Sequence, residues 1–345
     1  MERNGQNILK TTIMFLISGG ATAAVLYLLF RNINFPTLRL CLQKADPKFL
    51  VTALLISMAW NIGLYALIRR KIWQYMGYVV SFPECLFIRA GSLPFQAIPS
   101  FKDTGLAMAL YLKKRFSMPL SDGILSNIVV NFFSLTGLLF LMMLGYITSG
   151  PGSTDLSVLE QHLTAKLIPI FLFIVFILYA FYFNPALGKR ILFYACFKKR
   201  DWLYGIFERN INLWKGLPRQ DMITFFLLAT FFKLAEVLIF YSLAQAYQLN
   251  IPGASIVLYV PLAMMISESP ANISGIGVRE GALVLFFYHS APKEILVAIA
   301  ILIFIINRMA PIIIGLFFLV PFLSKMQLSF AKIKEHMRQH SIHSI

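Results

Sequence analysis

Long apolar runs constrain this chain more than any other feature: 11–30, 49–68, 123–147, 166–183, 222–247 and 295–320. A bilayer core about 30 Å thick is crossed by about 20 helical residues rising about 1.5 Å each, so each run is of spanning length. Lipid offers no partner to backbone N–H and C=O groups, so segments of this kind cross as helices. Hydrophobic residues fill 58% of the 345 positions and charged residues only 13%, against roughly 25% in soluble domains. The predicted class is an all-α polytopic membrane protein with about six full spans.

The first run follows Arg3 and Lys10, as a secretory signal would, but it is long and has no small-x-small cleavage site behind it. It reads as a retained span. Outside the spans, no stretch is long enough for a soluble core, so residues 1–345 read as one integral membrane domain. The formal charge of +16 raises nucleic acid as a partner, yet Lys and Arg cluster beside the spans, which fits topology instead. Basic segments at Arg69-Arg70-Lys71, Lys113-Lys114-Arg115, Lys189 to Arg219 and the tail 321–345 mark the cytoplasmic side. The connection 148–165 has Asp155 and Glu160 with no Lys or Arg, and it faces outward. Residues 31–48 carry Arg31, Arg39, Lys44 and Lys48 and run against this orientation, but the other segments outvote them. Both termini are therefore expected in the cytoplasm, with 184–221 a basic, aromatic interfacial connection on anionic lipid. Cys41, Cys85 and Cys196 show no metal or disulfide spacing, and no metal or cofactor is expected.

Two further apolar segments are broken in the middle. Residues 254–266 and 278–290 flank a Gly-rich break at 267–277, and each arm spans only about 20 Å as a helix, short of a crossing. Pro270 disfavours helix just before it, while Gly275 and Gly277 admit positive φ. The segment reads as a re-entrant hairpin entering from outside. In the first half, arms at 78–93 and 106–112 flank a break at 93–105 and read as a second re-entrant hairpin, entering from inside. Each half (11–147 and 166–320) is then span, span, hairpin, span, starting on opposite faces, which is an inverted-topology repeat.

Charges inside the apolar layer are costly, about 2.5–3.5 kcal/mol or more each, so they face protein or a wet cavity and mark candidate sites. Lys233 and Glu236 are three apart on one helix and are placed to satisfy each other. Arg279 and Glu280 are adjacent, about 100° apart around a helix, so each is expected to find a different partner. Arg308 has no acidic residue within a turn and is expected to reach Glu268 or Glu280. In the first half, Arg89, Lys102 and Asp103 are the corresponding candidates. The second arm begins near Gly277, and its N–H groups with the Arg279 guanidinium suit a phosphate or carboxylate, unless Glu268 or Asn272 caps them. The substrate-binding candidates are thus Glu268, Asn272, Gly275, Gly277, Arg279, Glu280, Arg308, Lys233, Glu236, Arg89, Lys102 and Asp103. No catalytic motif or paired carboxylates for acid–base work are found.

At "PANISGIGVREGAL", residues 270–283, the chain resembles the lysylphosphatidylglycerol synthase transmembrane-region family of flippase-like membrane proteins. Pro270, Gly275, Gly277, Arg279 and Glu280 carry the likeness, and Arg308 matches an Arg of the following span. The first half departs from it: Pro99, Asp103 and Gly105 stand out of order, and Met108 and Asn131 stand where Arg is expected. The resemblance implies that the second half dominates binding. It also implies lipid handling. In two-part relatives a soluble domain aminoacylates the lipid; this chain shows no such domain, so movement is expected rather than synthesis. The expected function is translocation, across the inner membrane, of a lipid with an anionic or zwitterionic headgroup or of a polyprenyl phosphate. The alternative is a membrane subunit working with an envelope-biosynthesis enzyme.

Overall fold

The computed structural model describes residues 34–97, 104–149, 218–267 and 277–326. Within them every regular element is helical. Asn34 caps α1 (Phe35–Lys44) by accepting from the Thr37 amide, and Asp46 caps α2 (Pro47–Tyr75) by accepting from Lys48 N–H at 2.9 Å. Each of these caps precedes a proline that presets the first helical φ. Ser81 opens α3 (Phe82–Ser92) in the same way, and a 3₁₀ turn, Leu93–Ala97, follows it. Then come α4 (Gly105–Phe116), α5 (Leu120–Ser149), α6 (Arg219–Ala246), α7 (Gly253–Ser267), α8 (Val278–Phe286) and α9 (Lys293–Lys325).

Among the described residues four helices, α2, α5, α6 and α9, are long and apolar enough to cross a membrane. They contain the expected spans 49–68, 123–147, 222–247 and 295–320 to within a residue; 11–30 and 166–183 lie outside the described residues. Their outward faces stay apolar, with Leu55, Leu227, Phe317 and Val320 all exposed, as lipid contact requires. The helices overrun the apolar runs because helix geometry does not stop where hydrophobicity does. Arg69, in one of the basic segments expected to mark the cytoplasmic side, lies inside α2 and is 2% exposed.

The first arm of each broken segment packs against the closing long helix of the other half, α7 on α5 and α3 on α9. Glycines permit both approaches. A Cβ on Gly145 of α5 would stand 2.5 Å from the Leu258 amide nitrogen of α7, and one on Gly315 of α9 would stand 2.7 Å from the Ala90 carbonyl of α3. Small residues at such crossings let backbones meet, the usual basis of helix association in lipid. The pairs α2–α6 and α5–α6 complete the centre.

The apolar core is divided in two. A head cluster gathers where α2 and α9 begin and α5 and α6 end, around Phe240 and Phe287, stacked at 4.5 Å. A foot cluster gathers at the opposite ends of these helices, around Trp73, Tyr111 and Phe322, the last two stacked at 5.0 Å. Between them, at mid-length of each long helix, the buried residues turn polar: Ser57 in α2, Ser134 in α5, Thr230 and Lys233 in α6, and Asn307 in α9.

Candidate functional site

The polar layer is densest where α8 starts. Gly277 adopts φ 83°, a left-handed conformation that costs a side-chain-bearing residue but not glycine. That turn aims its N–H at Glu280, whose Oε2 accepts it at 2.8 Å. Glu280 thus caps the Gly277 amide that opens this helix. Glu268, Asn272 and Gly275 lie outside the described residues, as do Lys102 and Asp103.

Oε1 of the same carboxylate accepts from Arg279 Nη2 at 3.1 Å and Nε at 3.3 Å. This corrects the expectation that adjacent residues must part: the two side chains are long enough to fold back across about 100° and meet at the helix end. Arg279 Nη1 reaches Glu236 Oε2 on α6 at 3.1 Å. Lys233 is buried one turn before Glu236, with its ammonium 5.8 Å from the Phe232 ring. Asn307 Nδ2 donates to the same Glu236 oxygen at 2.9 Å. Arg308, partly buried beside it, feels the charges of Arg279, Glu280 and Glu236. The structure thus brings Gly277, Arg279, Glu280, Glu236 and Arg308 together.

Asn307 and Arg308 sit in a π-helical turn, Ile305–Met309. Pro311 supplies the reason: it has no N–H to give the preceding turn, and its ring crowds the carbonyl four residues back. The Ala310 amide binds Ile305 O, and Ile306 O takes the Ser57 hydroxyl at 3.0 Å instead. Alpha2 has its own π-helical turn at Ala59–Leu64, whose Asn61 side chain donates to Ser57 Oγ at 3.1 Å. The Asn61 carbonyl accepts from Arg89 Nε at 2.8 Å, while Tyr65 N–H is directed to Trp60 and Ile62. π-turns of this kind recur at functional positions because they re-aim side chains and carbonyls within a helix.

Arg89 of α3 is 5% exposed and belongs to a second polar cluster, separate from Arg279. Its Nη1 donates to Thr104 Oγ1 at 2.8 Å, and its guanidinium lies 3.9 Å over the Tyr65 ring. Arg69 shares that ring, at 5.0 Å. Met108 is buried in the foot cluster and Asn131 is exposed, so neither position presents a polar group to this cluster. Sequence reasoning missed Ser57, Asn61, Tyr65, Arg69, Thr104 and Asn307. The signal for Ser57 and Asn61 was available: two polar residues four apart in an apolar run share one helix face.

Chemically, the Arg279 cluster offers cations, acceptors and a helix N-terminus in a layer closed above and below by hydrocarbon. Comparison with curated proteins returns no match. The family model for the lysylphosphatidylglycerol synthase TM region matches residues 11–315, from ahead of α1 to well inside α9, and the chain belongs to this family of integral membrane proteins.

Proposed function

We propose that this protein is a lipid translocase of the inner membrane, carrying a lipid with a charged headgroup, or a polyprenyl-phosphate-linked lipid, between leaflets. The observation that carries the reading is the ion-paired group Arg279–Glu236–Glu280, set at mid-length of the long helices between two apolar clusters. A headgroup exchanged into that group leaves its tails in lipid. Glu236 and Glu280 hold Arg279 until a phosphate competes for it, and Arg308 and Lys233 add positive charge beside it.

In this reading the two broken segments are re-entrant hairpins. Leu249 and Ala291, outside the two ends of the α7–α8 segment, both pack on the head cluster. Val80 and Met118, outside the ends of the α3–α4 segment, both lie in the foot cluster. Each segment thus returns to the end it left, and the two do so at opposite ends, which supports an inverted repeat with halves 11–147 and 166–320. The residues 184–221 and the tail 321–345 are assigned to the cytoplasmic face, with both termini. Alternating access then comes from rocking one half on the other.

The test is lipid movement in proteoliposomes carrying the wild type, Arg279→Ala or Glu280→Ala. The wild type is expected to exceed empty vesicles, and Arg279→Ala to slow movement roughly tenfold or more through loss of a charge-assisted contact. Equal rates in wild-type and empty vesicles remove translocation. Movement insensitive to both substitutions moves the site elsewhere.

A further inference from the structure

The short helix α1 stands at the head end of the bundle with one face covered and the other bare. Leu38 and Ala45 are buried and Cys41 and Leu42 partly so, a stripe at helical spacing that joins the head cluster as α1 packs on the first part of α9. The Asp46 amide that follows donates to the Ala246 carbonyl, at the end of α6, at 3.1 Å. On the other face Phe35 is 61% and Leu40 55% exposed. Phe35, Pro36, Arg39, Leu40 and Gln43 line an open hollow of about 560 Å³ there.

Charge on this helix has one sign. It carries Arg39 and Lys44 with no acidic residue, and Lys48 follows in the first turn of α2. None of the three forms an ion pair among the described residues. The acidic groups at this end, among the described residues, are Asp46, whose carboxylate accepts from the Lys48 amide at 2.9 Å, and Glu294, next to Lys293 in the first turn of α9. The level of α1 follows from α2. Val51, exposed on α2, lies four residues inside it, about 6 Å along the axis. The headgroup layer is about 5–8 Å thick on each side of the hydrocarbon, so α1 stands at headgroup level. Bare apolar side chains among cations at that level make an interfacial helix: rings and methyls enter the acyl boundary while Arg and Lys reach back to phosphate.

We propose that α1 is a lipid-docking helix: Phe35 and Leu40 seat in the acyl boundary of the leaflet at the head end, and Arg39 and Lys44 bind the phosphates of anionic phospholipids there. In the orientation proposed above this is the outer leaflet. Headgroup binding then gives Arg39, Lys44 and Lys48, which run against the charge bias of the other segments, a role that topology does not.

The test is fluorescence quenching of the full chain reconstituted in phosphatidylcholine vesicles, part of whose lipid is brominated phosphatidylcholine or brominated phosphatidylglycerol. In a background with Cys41, Cys85 and Cys196 replaced by alanine, Leu40→Cys carries an environment-sensitive dye. Leu227→Cys, exposed on α6, is the lipid-facing control, quenched by both lipids alike. The Leu40 dye is expected to be quenched by both lipids, with phosphatidylglycerol preferred by about fivefold or more, the factor one basic residue contributes at an anionic surface. Arg39→Gln with Lys44→Gln, both on the exposed face, should bring that preference to about unity. A Leu40 dye reached by aqueous iodide but not by brominated lipid overturns the proposal. So does one reached by neither, which would put another segment of this chain or a second copy on the face. Quenching without a preference, or a preference that survives the double substitution, overturns it as well. Because the readout is lipid contact, it stands apart from whether the protein moves lipid.

Discussion

The Ser57 hydroxyl donates to the Ile306 carbonyl at 3.0 Å, joining the middle of α2 to the middle of α9 at a point where Pro311 has loosened the latter's own ladder. Ser57→Ala leaves that carbonyl buried without its partner and strips Asn61 of its acceptor. In lipid such bonds contribute about 0.6 kcal/mol on average and up to about 1.7 kcal/mol. With two bonds lost, the expected destabilisation is about 1–2 kcal/mol. Unfolding in detergent, wild type beside Ser57→Ala, measures it; no shift would mean the contact is incidental.

Glu236 and Arg279 should behave as a coupled pair. Removing Arg279 alone strands the partly buried Glu236 charge, at a cost of about 3–5 kcal/mol for a fully buried partner and less here, where Glu236 is 23% exposed, whereas removing Glu236 leaves Arg279 paired with Glu280. The double substitution Glu236→Ala with Arg279→Ala should cost clearly less than the sum of the singles, by about 1–3 kcal/mol. Additive losses in a double-mutant cycle would show that the 3.1 Å contact carries no energy.

Gly277→Ala forces a Cβ onto φ 83°, with an expected cost of about 1–2 kcal/mol. Gly145→Ala and Gly315→Ala act by another route, pressing apart the paired backbones of α5–α7 and α9–α3, at about 1–3 kcal/mol each. All three should lower the midpoint of thermal unfolding. A Gly63→Ala control, where a Cβ meets nothing within 4 Å, should be near neutral.

Gln248 and His289 are both exposed, one outside each end of the α7–α8 segment. In a chain with Cys41, Cys85 and Cys196 replaced, cysteines at these positions should react with an impermeant thiol reagent from the same face of sealed vesicles. Labelling from opposite faces would mean that the segment crosses the bilayer and would end the re-entrant reading.

Four long helices and the positions of both breaks were legible in the sequence, because a bilayer turns hydrophobic length directly into structure. The pairing inside the polar layer was not. A wheel argument separated Arg279 from Glu280 by treating side chains as directions, whereas arginine and glutamate have the reach to turn back. Arg69 was hidden differently: a basic triplet beside an apolar run has the same pattern whether the helix stops or continues, and only the positions of Ser126 and Asn127 on α5, which accept from its guanidinium, show that it continues into a polar niche. Asn307 escaped notice because only charged residues were weighed, although an amide in hydrocarbon poses the same problem of finding partners.

The crosswise seating of α3 on α9 and of α7 on α5 has a further meaning for biogenesis. Each half borrows a wall from its sibling, like two hands clasped at the thumbs. During synthesis α3 has no α9 to pack against until the last helix emerges. Two co-expressed fragments cut between residues 149 and 218 should therefore assemble, while the leading fragment alone should be degraded.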